Sequence, residues 1–137
     1  MKVRRATIGD AQTLAALLAQ YLREGYPGHV GSTAEQLRQD VLGDHPRHHA
    51  LLIERGGIAI GFVAWDAVYD LHWALGGAQI ADLYVAPAQR GLGVALALLA
   101  RVAAEVRAQG GAFLRGGAYD RESTRRFFAR VAVVAPF

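Results

Sequence analysis

The chain has 137 residues, of which 53% are hydrophobic, enough for a single domain over residues 1–137 to bury a core of its own. Cysteine is absent, which excludes disulfides, thiolate nucleophiles and cysteine-bound metals. The formal net charge is +3, but the basic residues are spread along the chain and the densest group alternates with acidic residues, so no nucleic-acid partner is expected.

The N-terminal segment predicts a strand followed by a helix. Met1 to Arg5 leads into mixed polar sequence, so neither a signal peptide nor a membrane span is expected, and the predicted location is the cytoplasm. Residues 2–6 form the strand, and Thr7 or Asp10 is placed to cap the helix. Apolar side chains then recur at helical spacing and are assigned to the core: Leu14, Leu17, Leu18, Tyr21 and Leu22.

A loop and a second helix come next. Residues 24–31 contain three glycines and a proline, so they cannot continue the first helix. Ser32 or Thr33 is predicted to cap a helix over residues 34–42, and Glu35 or Gln36, three residues further on, completes a capping box.

A group of histidines raises the question of a metal site. Three histidines and an aspartate fall within residues 44–49, and these side chains are possible ligands. Pro46 breaks the helical register inside the group, and no second cluster elsewhere offers a partner. We therefore predict no metal.

Two further strands are expected in the middle of the sheet. Residues 50–55 and 58–65 are apolar and rich in strand-forming residues, and Gly56-Gly57 between them predicts a hairpin turn, so the strands should be antiparallel. Residues 67–78 show an irregular, aromatic pattern with no clear element.

Residues 79–109 organise the rest of the chain. A short strand around Ile80 to Val85 ends at Pro87, a glycine-containing basic turn follows, and an Ala- and Leu-rich helix over 94–106 is predicted to be buried on most sides. A glycine turn between a strand and a helix presents unpaired backbone N–H groups beside the positive end of the helix dipole. Such a turn is suited to binding phosphate.

Three phosphate-binding turns compete for this stretch. A P-loop needs Lys and then Ser or Thr after its last glycine, and Val94 and Ala95 stand there instead. A dinucleotide fingerprint needs a small residue where Leu96 lies, and it usually opens its domain. The remaining turn is an acyl-CoA turn, whose spacing of Arg, two residues, Gly, one residue and Ala is matched by Arg90, Gly93 and Ala95.

With this turn, the chain resembles the GNAT superfamily of acyl-CoA-dependent N-acyltransferases. The preceding residues 82–87, Asp-Leu-Tyr-Val-Ala-Pro, are similar to the strand that binds pantetheine in that family. Residues 40–46 and 68–70 resemble segments of its diamine and polyamine acetyltransferase branch, and the resemblance extends from Val3 to about Val133. It implies an α/β (α+β) fold with a mixed central sheet, splayed at the CoA site and flanked by about four helices.

The C-terminal segment predicts the last elements. Residues 112–119 form a strand parallel to the organising strand, reached by a right-handed crossover through the long helix. A helix over 121–130 and a last strand over 131–137 follow. Members of the resembling family usually end in a two-stranded hairpin, so the C-terminal hairpin is expected to be incomplete, and an uncovered strand edge predicts a homodimer.

The resemblance implies acetyl transfer from acetyl-CoA to a primary amine of a small molecule, with polyamines and diamines favoured. The cofactor would be held by the strand and the turn, at Leu83, Tyr84, Val85, Arg90, Gly91, Leu92, Gly93, Val94 and Ala95. The acceptor amine would be bound by Glu24, Tyr26, Asp70 and Asp82. Asp82 is the candidate base, since an ammonium group must lose a proton before attack.

Two positions depart from the family pattern. Polyamine acetyltransferases have Glu where this chain has Ala81, and a proton-donating Tyr where it has Phe128. Tyr119 or Tyr84 is a candidate to replace the lost phenol. The departures leave an alternative open, a catalytically weak module that binds acyl-CoA as a sensor or subunit.

Overall fold

The computed structural model describes residues 1–117, and within them a five-stranded sheet carries three helices. The strands are β1 (Lys2–Arg5), β2 (His49–Arg55), β3 (Ile58–Asp70), β4 (Leu75–Val85) and β5 (Phe113–Gly116). The helices are α1 (Ala11–Gly25), α2 (Ala34–Asp40) and α3 (Val94–Ala108), with short 3₁₀ turns at Ile8–Asp10 and Pro87–Gln89. Tyr119 and the helix and strand predicted for 121–137 lie outside the described residues.

The sheet is mixed, as the sequence predicts. Its strands lie in the order β1-β2-β3-β4-β5, and each neighbouring pair among the first four is antiparallel. β5 runs parallel to β4, because α3 carries the chain back across the sheet between them. The predicted parallel pairing of these two strands, joined through the long helix, is thus confirmed.

Helices cover both faces of the sheet. On one face α3 packs against alternate residues of β2, β3 and β4, with a core of Leu51, Ile53, Val63, Ile80, Leu98 and Val102. On the other face α1 and α2 pack against the intervening residues, with a core of Leu14, Leu17, Leu37, Leu52, Phe62 and Tyr84. Because successive strand residues point to opposite faces, the central strands are apolar throughout.

The segment predicted to be irregular is a long hairpin. β3 continues to Asp70 and β4 starts at Leu75, so residues 67–78 are mostly paired strand. Side chains at the tip are exposed, with Leu71 85% and Trp73 75% accessible. The strands form there because main-chain pairing satisfies the backbone, even though the side chains show no alternating pattern.

Helix α3 is less buried than the sequence predicts. Its buried residues, Val94, Leu98, Leu99 and Val102, lie on the face toward the sheet, while Leu96 is 51% exposed. A helix packed on one layer buries only one stripe, whatever its outer residues are. None of the helices in residues 1–117 combines the length and apolar character needed to cross a bilayer.

Helix capping follows the sequence closely at α2. Thr33 accepts a hydrogen bond from the Gln36 N–H at 3.1 Å, and the Gln36 side chain accepts one from the Thr33 N–H at 2.9 Å. The helix ends at Asp40, two residues earlier than predicted.

Candidate functional site

Strand β4 departs from regular pairing at its centre. Asp82 lies opposite Ala64 while Ile80 lies opposite Trp65, so Ala81 is an extra residue that forms a β-bulge. On the other side, the pairing of β4 with β5 ends at Ile80 and Gly116. Among the described residues, the stretch from Ala81 to Val85 therefore has an edge that β5 does not cover, which we call the open edge.

Main-chain direction decides which residues of β4 face the open edge. The N–H of Ala86 donates to the Ile60 carbonyl on β3 at 2.8 Å. Because N–H and C=O groups alternate sides along a strand, Val85 and Leu83 direct theirs away from β3, to the open edge. Tyr84 directs its N–H and C=O groups toward β3. Its carbonyl oxygen lies close to Gly61 on that strand, since a Cβ built on Gly61 would be only 2.6 Å from it.

The chain then enters the phosphate turn, residues 90–95. Gly91 and Gly93 adopt left-handed φ values of 78° and 81°, a conformation that glycine adopts without the steric cost of a Cβ. α3 begins at Val94 without a side-chain cap, and its first backbone bond joins the Ala97 N–H to the Gly93 carbonyl at 3.0 Å. The N–H groups of residues 94–96 thus lack acceptors within the helix, which is the geometry predicted for an anion site.

An aromatic group covers β4 on the α1 face. The Tyr21 ring lies 5.4 Å from the Tyr26 ring and 5.8 Å from the Tyr84 ring, centroid to centroid. Tyr84 is 4% exposed, and its hydroxyl donates to the Gln20 side chain at 3.4 Å. Burial raises the pKa of Tyr84 above its usual value, which further disfavours the charged phenolate.

Tyr21 is a site candidate whose helical spacing in the sequence predicts only a place in the core. Its hydroxyl donates to the Tyr26 hydroxyl at 3.4 Å. Burial first, then the contact with Tyr26 and the nearby charge of Asp82, raise the pKa of Tyr21. A signal was present, because Tyr21 is the only phenol among the periodic residues of α1 and precedes the predicted acceptor loop by three residues.

Arg90 connects the turn to the end of α1. Its Nη2 lies 2.7 Å from the Glu24 carboxylate, and its Nε donates to the Val85 carbonyl at 3.0 Å. The guanidinium carbon lies 5.6 Å from the centroid of the Tyr84 ring. The fold and these contacts thus bring five side chains together on the α1 face of the sheet. We call these five side chains the acceptor cluster: Tyr21, Glu24, Tyr26, Asp82 and Tyr84.

Asp70 lies apart from this cluster. It is six positions after Ala64, the partner of Asp82, which places it about 20 Å along β3 at about 3.3 Å per residue. Its Oδ1 accepts from the main-chain N–H groups of His72 at 2.9 Å and Trp73 at 3.1 Å. In this chain Asp70 closes the hairpin turn, a role that the sequence does not distinguish from amine binding.

The histidine-rich segment makes local contacts. His48 Nδ1 lies 2.5 Å from the Asp66 carboxylate, and His49 stacks on Trp65 at 5.3 Å between ring centroids. In residues 1–117, no three His, Asp or Glu side chains are grouped so that they could hold a metal ion.

Known proteins share both the sequence pattern and this fold. The chain matches the acetyltransferase (GNAT) family over residues 13–132. It is 26% identical over 110 residues to thialysine N-epsilon-acetyltransferase from Mus musculus. The aligned region covers 74% of this chain and 63% of that protein, so the chain spans less than two thirds of that relative.

Solved structures agree over nearly the whole chain. Ribosomal-protein-alanine N-acetyltransferase from Brucella melitensis biovar Abortus 2308 superposes with a TM-score of 0.80 at 26% identity, covering 99% of this chain and 93% of that one. An aminoglycoside acetyltransferase from an uncultured soil metagenomic sample gives 0.77 at 22% identity, with coverage of 99% and 93%, a likeness of fold alone. Because the family match spans most of the sequence, the chain belongs to the acetyltransferase (GNAT) family.

Proposed function

We propose that the protein is an N-acetyltransferase that moves an acetyl group from acetyl-CoA directly to a primary amine of a small molecule. One observation carries the proposal: the open edge of β4 is followed, after the short 3₁₀ turn Pro87–Gln89, by the phosphate turn at the N-terminus of α3. An extended ligand that ends in a diphosphate fits these two features together. The pantetheine arm and diphosphate of CoA have that form.

The cofactor would lie along β4 as an added strand. Leu83 and Val85 direct main-chain groups to the open edge, where they can pair with the amides of pantetheine. The free N–H groups at residues 94–96, with the positive end of the α3 dipole, favour the diphosphate. Gly91, Leu92 and Gly93 shape the turn around it.

The reaction forms one bond and breaks another. The neutral amine nitrogen attacks the thioester carbonyl carbon and the C–N bond forms. The nitrogen then loses one proton, the C–S bond breaks, and the departing CoA thiolate gains one proton, so that the products are the amide and the CoA thiol. A main-chain N–H near Leu83, exposed by the bulge at Ala81, would stabilise the oxyanion. Holding both substrates in contact supplies much of the rate enhancement.

The acceptor cluster would bind and deprotonate the amine. Asp82 is the proposed base, and Glu24 and Tyr26 are proposed to bind the ammonium group beside the aromatic rings, which favour cations. Tyr84 is proposed to donate a proton toward the departing thiolate, for which its hydroxyl would turn from the Gln20 side chain, and Tyr119 stays a prediction for the same role. Two carboxylates beside three phenols favour a diamine or polyamine, and the mouse relative is named for acetylating an amine.

A thiol-release assay with acetyl-CoA and a panel of amines tests this function. We expect release of CoA with diamines and polyamines above that with amino acids or aminoglycosides. If acetyl-CoA stabilises the fold while no amine releases CoA, the binding-module alternative suggested by Ala81 and Phe128 is favoured instead. A homodimer and a cytoplasmic location also stay proposals, and light scattering of the purified protein tests the former.

A further inference from the structure

Tyr21 is a half-buried phenol whose hydroxyl has no role in the proposed reaction. Its ring is packed among three other aromatic rings, with centroid distances of 5.4 Å to Tyr26, 6.1 Å to Phe62 and 5.8 Å to Tyr84. Rings in such a group have little freedom to reorient, because each neighbour restricts the next. The hydroxyl of Tyr21 is therefore held on the α1 face of the sheet, where the amine is proposed to react.

Two groups lie close to this hydroxyl. It donates a hydrogen bond to the Tyr26 hydroxyl at 3.4 Å, and Tyr26, which directly follows α1, is partly exposed and leads into the exposed residues 27–30. Burial, the contact with Tyr26 and the nearby charge of Asp82 raise the pKa of Tyr21. The phenol is thus close both to the proposed base and to a second hydroxyl that reaches the surface.

The proposed base needs a route for its proton. Asp82 takes one proton from the amine in each cycle and must lose it before the next cycle. It is only partly exposed in the free protein, and an amine in the acceptor cluster beside CoA would cover it further. A hydroxyl can carry a proton onward by accepting one as it donates its own. Because burial disfavours the phenolate, Tyr21 would have to exchange its proton in this concerted way.

We propose that the hydroxyls of Tyr21 and Tyr26 form a relay that carries the proton from Asp82 to solvent after the amine is deprotonated. The inference rests on the proposed function, since it takes Asp82 as the base. The Asp82 carboxyl gives its proton to the Tyr21 oxygen, Tyr21 gives its own proton to the Tyr26 oxygen, and Tyr26 gives its own to water. Asp82 returns to the carboxylate, and both phenols stay neutral. Tyr21 acts on the amine only through Asp82, as a positioning residue.

A double-mutant cycle on turnover tests the relay, with acetyl-CoA and 1,4-diaminobutane as substrates. Tyr21→Phe and Tyr26→Phe each remove one oxygen and keep the ring. Each should lower kcat by about 10-fold, less than loss of the base itself, and the double variant should lose no more, because either change interrupts the same relay. In Tyr21→Phe the KM for the amine should stay within about 2-fold, since the relay acts after binding.

The matched control is Tyr69→Phe. It removes the same hydroxyl from a ring that is 60% exposed on the β3–β4 hairpin, outside the acceptor cluster. Its kcat should equal that of the wild type. An equal loss in this variant would exclude the relay as the cause.

Heavy water separates the relay from a purely structural role. When several protons move together, kcat falls along a curve as the fraction of deuterium in the solvent rises, and when one proton moves it falls along a straight line. We expect a curve for the wild type and a straight line for Tyr21→Phe. A structural loss would lower kcat and leave the shape of this dependence unchanged.

The outcomes distinguish the relay from the function on which it rests. Unchanged kcat in Tyr21→Phe, losses that multiply in the double variant, or the same isotope dependence in every variant would exclude the relay while the proposed function stands. If the wild type releases no CoA with any amine, the proposed function and the relay both fall.

Discussion

At the scale of single residues, Asp82 is the proposed catalytic base. It shares the α1 face of β4 with Tyr84, close enough to Tyr21 to raise the pKa of that phenol. Asp82→Asn should lower kcat at pH 7 by about 100-fold or more, the usual contribution of a positioned base, and leave the Kd for CoA within about 2-fold. A thiol-release assay measures kcat, and calorimetry measures the Kd for CoA.

The control for this substitution is Asp44→Asn, which neutralises an exposed carboxylate outside the acceptor cluster and should keep full activity. Unchanged turnover in Asp82→Asn would remove Asp82 from the role of base. A parallel loss of kcat and CoA affinity would instead indicate damage to β4.

Asp10 sets a pH dependence of stability far from the site. Arg4 donates two hydrogen bonds to its carboxylate, at 2.7 and 2.8 Å, and also pairs with Glu54. These bonds lower the pKa of Asp10 from 3.8 to about 2. Because the folded pKa lies below the unfolded one, the stabilisation is present above pH 3.8 and is lost as the pH falls toward 2.

Asp10→Asn should therefore cost about 1 kcal/mol of unfolding free energy at pH 7, a figure reduced for solvent screening, and less at pH 2. Urea unfolding at a series of pH values measures the difference. Asp40→Asn is the control, since Asp40 is exposed and its nearest Arg47 nitrogen lies 3.6 Å away. A loss that is the same at pH 2 and pH 7 would contradict the assigned role of the ion pair.

At the scale of elements, the phosphate turn depends on its glycines. Gly93 has φ 81° and open space where a Cβ would lie, so Gly93→Ala strains the backbone without a clash. We expect it to cost about 1–2 kcal/mol of stability and to weaken CoA binding at least 10-fold, because the N–H groups that follow turn away. Gly110→Ala is a matched control at the other end of α3, with φ 83° and equal space.

Equal stability losses with CoA binding weakened only in Gly93→Ala would assign the effect to the turn. If Gly110→Ala weakened CoA binding as much, the loss would arise from α3 as a whole.

Elements also show how far sequence reasoning extends. The phosphate turn, the α2 capping box and the parallel crossover were predictable, because each depends on residues close together in sequence. The outer half of the β3–β4 hairpin was not predictable. Its strands pair through main-chain hydrogen bonds, and the side chains of residues 67–78 show no alternating pattern that would indicate them. The bulge at Ala81 was missed for the same reason.

At the scale of the whole molecule, cofactor binding should stabilise the fold. The open edge and the phosphate turn form only when β4 and α3 are folded, so we expect CoA to bind the native state and not the unfolded chain. At 100 times its Kd, CoA should add about 2.7 kcal/mol to the unfolding free energy and raise the Tm by several degrees. A thermal scan against CoA concentration measures this, with adenine as a control that lacks phosphate; no shift would contradict the cofactor site.

The sequence by itself determined the fold class, the family and the glycine turn at residues 90–95 that we propose binds phosphate. These follow from local patterns: hydrophobic periodicity, capping residues and the spacing of Arg90, Gly93 and Ala95. The resemblance to the family, rather than these patterns, made Glu24, Tyr26 and Asp82 candidates, without showing that they lie together.

Only the tertiary structure decided which candidates share a site. Glu24 and Arg90 are 66 positions apart and meet at 2.7 Å, because α1 packs across β4 beside the turn. Asp70 and Asp82 are close in sequence, yet the long hairpin places them at different positions along the sheet. Contacts between elements depend on packing and register, which short-range sequence patterns do not encode.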